Sequence, residues 1–237
     1  MKIQQGRVSI KEGIVIGEGS GRSLKADIFL PPLEEKSRPA VLFIHGGGWI
    51  EGDRSQLRGY GILLARLGFV CMCNSYRLSN ESIWPAQIQD VNCAIRYLRA
   101  NATDLGLDPN RIGVSGNSAG GHLSLMAAAT NYDQIFEGEG GSNEVSSEIK
   151  AVCAIYPPTT IRQLEMLNPL ENAFLLLMGK EAKKEDFDKA SPLNYVTEDY
   201  PPCMLIHGST DSVVRLKDST KFYEKLIEFD RPASLHV

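Results

Sequence analysis

Five short apolar runs constrain the fold of this chain more than any other feature: AVLFIH at 40–45, FVCMC at 69–73, RIGVSG at 111–116, AVCAIY at 151–156 and CMLIH at 203–207. Each is the length of a strand, and an apolar run without polar alternation is what a strand buried on both faces requires. Between them residues recur at helical spacing: Leu57, Tyr60, Leu64 and Leu67, then Ile88, Val91, Ile95 and Leu98, and later Leu216, Tyr223 and Leu226 with Ile227. Strand alternating with helix predicts an α/β fold, a mostly parallel central sheet with helices on both faces. The residues before 31, with GIVIGEG and LKADIFLPP, read instead as a hairpin added antiparallel at one edge.

A chain of 237 residues is read as one domain over 1–237, large enough to bury roughly 70% of its unfolded surface without a disulfide or metal. The five cysteines are odd in number and lie in or beside apolar runs, so they read as reduced packing residues. With 25 basic and 29 acidic residues and no basic run, the chain offers nothing to nucleic acid, and a small molecule is the expected partner. The start, MKIQQGRVSIKEG, has no apolar signal region. No stretch approaches the ~18 apolar residues of a membrane helix, so no membrane partner and a cytoplasmic location are expected. Residues 131–148, rich in glycine and acid, read as a mobile loop, and 157–200, with prolines among short apolar pieces such as AFLLLMG, as a lid-like insertion.

Three constellations carry chemistry. Gly116-Asn117-Ser118-Ala119-Gly120 fits G-x-S-x-G between the strand RIGVSG and the helix AGGHLSLMAAAT, a turn that lifts the serine hydroxyl above the sheet. By itself Ser118 is equally well read as a helix N-cap. His45-Gly46-Gly47-Gly48-Trp49 follows a neighbouring strand and places backbone N–H groups at the carboxyl edge, where ligands of open α/β sheets bind. Two of those, with the N–H of Ala119, could hold an oxyanion. Asp211 lies three residues past Gly208, at the same edge, where a carboxylate can orient an imidazole. Its other reading is a helix cap or turn acid. Trp49 could stack on a sugar or belong to the core.

The set HGGGW at 45, YRL at 76, WPAQIQD at 84, GNSAGG at 116 and HGSTD at 207 resembles, in order and over most of the chain, the α/β-hydrolase family. It is closest to the branch of esterases and lipases with HGGGW and GxSAGG motifs, which includes hormone-sensitive-lipase-like enzymes and feruloyl or acetyl esterases. The resemblance implies Ser118 as nucleophile, Asp211 as acid, and the N–H groups of Gly47, Gly48 and Ala119 as oxyanion hole. It implies a scaffold role for Tyr76 and Arg77 and a structural one for Asp90, with no metal and no organic cofactor. The implied activity is hydrolysis of short-acyl carboxylic esters, including acetyl or feruloyl esters of carbohydrates, through a serine acyl-enzyme.

The family order places the catalytic histidine after the acid. His45 opens the glycine loop, His122 lies one turn into the helix after Ser118, and His207 precedes Asp211, which leaves His236. If the last strand begins near Ala233, His236 is only about 10 Å along it at ~3.3 Å per residue, short of the edge. Three explanations stay open: truncation inside the last strand, natural loss of the base, and recruitment of His236. Truncation is the favoured expectation, with a chain missing its base and nearly inactive. Two rivals remain open: a non-catalytic ligand-binding protein of the same fold, and a peptidase of the prolyl-oligopeptidase type.

Overall fold

A computed structural model describes residues 3–33, 35–129, 133–162 and 169–237. The first half runs β1 (Ser9–Gly19), β2 (Arg22–Leu30), β3 (Arg38–Ile44), α1 (Arg58–Arg66), β4 (Val70–Asn74), α2 (Ala86–Ala100), α3 (Ala102–Leu105), β5 (Leu107–Asn117) and α4 (Ala119–Ala129). The second runs α5 (Gln134–Glu137), β6 (Ala151–Ile155), α6 (Pro169–Met178), α7 (Lys184–Lys189), a 3-10 turn (Pro192–Tyr195), β7 (Cys203–Ile206), α8 (Leu216–Glu228) and β8 (Ala233–His236). The five apolar runs are β3 to β7, and with β1, β2 and β8 they form one eight-stranded sheet in the order β1-β2-β4-β3-β5-β6-β7-β8. The β1–β2 hairpin joins it antiparallel through β4, and every pairing from β4 to β8 is parallel.

The two faces are covered unequally. Leu123 and Leu125 of α4, Ile88, Val91 and Ile95 of α2, and Phe222 and Leu226 of α8 share one continuous core with Leu42, Val114, Ala154 and Leu205. On the opposite face α1 closes a smaller cluster of Phe29, Phe43, Ala65, Cys71 and Cys73 over β2, β3 and β4. Beyond α1 that face lies open over β5 to β8 as an apolar groove of about 690 Å³, walled by Phe43, Tyr60, Leu63, Met204 and Ile206. Tyr60, one of the residues recurring at helical spacing, is 54% exposed at the groove's rim. In α8 the buried stripe is Ser219, Phe222 and Leu226, and Ile227 points outward at 50% exposure.

The segment read as a mobile loop, apart from residues 131 and 132 outside the described set, is pinned by polar side chains of α2. Asn92 donates to Phe136 O at 2.8 Å, Arg96 donates to Glu137 O at 2.7 Å and Gly141 O at 3.0 Å, and Glu18 N–H donates to Gly140 O at 2.8 Å. The lid-like insertion contains α6, α7 and the 3-10 turn, and its residues 163–168 lie outside the described set. All five cysteines are free thiols, and burial pushes each upward in pKa, which favours the protonated form. Among the described residues no helix is long and apolar enough to cross a membrane.

Register corrects the expected height of His236. It pairs with Ile206, which pairs with Ile155, which pairs with Asn117. Because β7 and β8 need only four residues each, His236 stands level with the residue before Ser118. Its separation from β5 is lateral, three strands or about 14 Å at ~4.8 Å spacing.

Candidate active site

At the carboxyl edge β5 turns into α4 through one residue, Ser118, whose φ of 52° lies in the left-handed region. This conformation costs an L-residue about 1–2 kcal/mol and is held here by the surroundings. Ser118 N–H donates to Ile155 O at 2.9 Å, and Ser118 O accepts from His122 N–H at 2.9 Å. The turn can be this tight because Gly120 carries no side chain: a Cβ there would stand 2.5 Å from His45 O and closer still to Ile44 O. The start of α4 thus rests directly on the end of β3.

That contact brings the glycine loop beside the serine. Gly47 sits at φ 112°, and its carbonyl accepts from Ile50 N–H at 3.0 Å and Glu51 N–H at 3.1 Å, closing the loop into a turn. Its N–H, like those of Gly48 and Ala119, donates to no acceptor among the described residues. Gly48 lies under α6, where an added Cβ would be 3.4 Å from Ala173 Cβ. Under the loop, His45 stacks on Tyr76 at 4.2 Å, and Tyr76 Oη donates to His45 O at 3.1 Å. Burial pushes the His45 pKa down, which keeps this ring neutral near neutral pH. Arg77 and Asp90 form a buried pair at 2.6 Å, and Arg77 also donates to Ser20 Oγ at 2.9 Å, tying the hairpin turn to α2. Burial raises the Asp90 pKa against the pull of Arg77.

Asp211 follows β7, two strands from β5. Its Oδ1 accepts from Val213 N–H at 2.9 Å and Val214 N–H at 3.0 Å, so it closes a turn and does not cap α8, whose N-cap is Arg215. Its Oδ2 lies 3.7 Å from His207 Nε2. His207 is committed on both sides, with Nε2 to Val214 O at 2.8 Å and Nδ1 to Ser219 Oγ at 2.8 Å. The structure therefore packs the glycine loop, through Gly46, on the residue before Ser118, sets Asp211 at the same edge, and gives Ser118 Oγ no histidine partner among the described residues.

The BD-FAE family model matches residues 26–226, a span that includes the glycine loop, the serine turn and Asp211. The chain belongs to the BD-FAE family. Esterase LipC of Mycobacterium tuberculosis is 36% identical over 81% of this chain and 49% of its own length, and the probable carboxylic ester hydrolase LipM of the same organism is 33% identical over 87% and 49%. The chain thus spans about half the length of these relatives. Among solved structures, a truncated carbohydrate esterase from gut microbiota superposes with a TM-score of 0.85 at 27% identity, covering 99% of this chain and 90% of that one. Thermogutta terrifontis esterase 2 superposes at 0.80 and 26% identity, over 97% of this chain and 80% of its own. The fold is that of the α/β-hydrolase esterases.

Trp49 of this BD-FAE chain is fully buried, edge-on to His122 at 5.1 Å and 5.8 Å from Phe174, so the sugar-stacking alternative does not hold and the ring is core. His122 is buried as well, with Nε2 donating to Ala190 O at 2.7 Å, a bond that fastens the insertion to α4. Burial lowers its pKa from 6.5 to about 4. Between those values the unfolded chain binds one more proton than the folded one. Stability is therefore intact above pH 6.5 and falls as pH drops toward 4, by about 1.4 kcal/mol per unit. Melting at pH 7.5 and 5.5 should show a loss that is largely absent in His122→Gln; an equal loss in both would assign the acid sensitivity elsewhere.

The sequence reading missed Tyr156. It follows β6 at φ 39°, and its hydroxyl accepts from Asn117 Nδ2 at 3.2 Å. In the sequence it is the last aromatic of an apolar run before Pro157 and Pro158, a signal that marks a strand end but not which neighbour the ring reaches.

Proposed function

We propose that this chain carries the catalytic serine apparatus of a carboxylic ester hydrolase. Ser118 Oγ attacks the ester carbonyl, the alcohol leaves, and water releases the acid from the acyl-enzyme. The N–H groups of Gly47, Gly48 and Ala119 hold the oxyanion, each donor contributing about 2.7–4 kcal/mol at the transition state. Asp211 is the acid, its Oδ2 being the oxygen not engaged by the turn. The observation that carries this reading is a serine held in left-handed backbone beside a glycine loop that packs on Asn117, with the N–H groups of Gly47, Gly48 and Ala119 unbonded among the described residues. No residue of the described set is assigned as base, and this favours, as a second reading, a chain that binds and acylates slowly without efficient turnover.

Small acyl groups are favoured, since α6 comes near enough to Gly48 that an added Cβ there would stand 3.4 Å from Ala173 Cβ. Structures of Thermogutta terrifontis esterase 2 hold propionate and butyrate, which supports the same size class. A carbohydrate alcohol is supported by the gut-microbiota carbohydrate esterase and by a bifunctional GH43-CE protein of Bacteroides eggerthii, 30% identical with a TM-score of 0.84. Rates on p-nitrophenyl acetate, butyrate and octanoate test the size class: acetate and butyrate should lead octanoate by at least about tenfold, a difference of ~1.4 kcal/mol. A maximum at octanoate would reverse the assignment.

A further inference from the structure

The loops leaving β3, β5 and β6 each contain a non-glycine residue in left-handed backbone: Trp49 at 61°, Ser118 at 52° and Tyr156 at 39°. Trp49 is explained by its core position and Ser118 by the turn. Tyr156 has no such explanation, and for an aromatic residue this conformation is a genuine outlier. It is fixed by a 2.7 Å hydrogen bond from Tyr156 N–H to Ile206 O, and the preceding residue, Ile155, supplies the carbonyl that holds Ser118 N–H. The half-buried side chain then reaches Asn117, the residue before Ser118.

Asn117 is a wedge. A Cβ on Gly46 would lie 2.8 Å from Asn117 Nδ2 and 2.9 Å from Asn117 O, so the first residue of the glycine loop packs on it without a side chain between. Asn117 Oδ1 is buried and has no partner, so the Tyr156 hydroxyl provides the hydrogen bond of that amide among the described residues. A buried amide with no bond at all would move to find one, and here it could move only by displacing the glycine loop or the serine turn.

We propose that Tyr156 is a positioning residue that acts through Asn117 to fix the separation between the loop bearing Gly47 and Gly48 and the turn bearing Ser118 and Ala119. Oxyanion donors work only when held within about 0.5 Å of their productive positions, so this separation sets kcat. The kinetic consequence rests on the ester-hydrolase reading; the positional one does not.

Tyr156→Phe keeps the ring and deletes the hydroxyl. It should lower kcat about tenfold with KM unchanged. Amide exchange at Ile50, Glu51 and Ser118, which report the loop and the turn, should accelerate while exchange at Leu42 and Val114 in the sheet centre stays the same. Asn117→Ala should reproduce the effect, and the double variant should add nothing to it. Unchanged exchange at Ile50, Glu51 and Ser118 in Tyr156→Phe would overturn the proposal whatever the turnover. Ser118→Ala serves as the blank for acyl-enzyme formation: no acetyl group on the Ser118 peptide of the unchanged chain after p-nitrophenyl acetate would end the hydrolase reading, with exchange still deciding the role of Tyr156.

Discussion

Gly120→Ala is expected to cost more than about 4 kcal/mol and to leave most of the chain unfolded or insoluble. The added methyl would enter the van der Waals shells of Ile44 O and His45 O, both backbone atoms. Neither can retreat, because β3 is hydrogen-bonded to β4 on one side and β5 on the other. Relief would require lifting α4 off the sheet, and α4 is buried along almost its whole length. Gly59, in α1, is the control: nothing lies within 4 Å of its missing Cβ, so Gly59→Ala should stabilise by about 0.4–1 kcal/mol. Urea unfolding of the three proteins measures both values. A Gly120→Ala protein as stable as the unchanged one would mean that α4 and β3 are not in contact as described.

Ser118→Ala should abolish acyl-enzyme formation while leaving the melting temperature within a degree or two. The serine hydroxyl makes no hydrogen bond among the described residues, and alanine faces the same left-handed cost as serine, so folding has little to lose. Chemistry has everything to lose, since the proposed nucleophile is this hydroxyl. With p-nitrophenyl acetate the unchanged chain should release a burst of p-nitrophenol and carry an acetyl group on the peptide containing Ser118. Without a positioned imidazole, the oxyanion donors and binding alone can still give roughly 10³–10⁴-fold over water, so the burst should be slow but measurable. An undiminished burst from Ser118→Ala would remove this serine from the mechanism.

The strands were legible because a strand buried on both faces must be apolar throughout, a demand written in consecutive residues such as Ala40 to Ile44. The contact between the serine turn and the glycine loop was legible only as a shared sheet edge, since it depends on β3 and β5 being neighbours. What local spacing could not reveal was which flank of a helix has something to pack against. Tyr60 repeats with Leu57 and Leu64 as a core residue would, yet it borders open sheet. Trp49 beside the glycine loop looks like a binding residue until α4 and α6 close over it. The level of His236 depended on how many residues β8 needs to cross the sheet, and that is set by β7 beside it. The anchors of the segment after α4, Asn92 and Arg96, could not be named from local spacing because they belong to a helix some forty residues earlier in the chain.

The open sheet face also changes how kinetics on this chain must be read. A groove of about 690 Å³ walled by Phe43, Tyr60, Leu63, Met204 and Ile206 presents apolar surface to any amphiphile on the α1 side of the sheet. Acyl chains partition onto such a surface with about 0.8 kcal/mol per buried methylene. Octanoyl esters and detergents would therefore be drawn to it in proportion to their length, so that binding of a long-chain ester to this chain does not by itself report binding at Ser118. Short, water-soluble esters escape this partition.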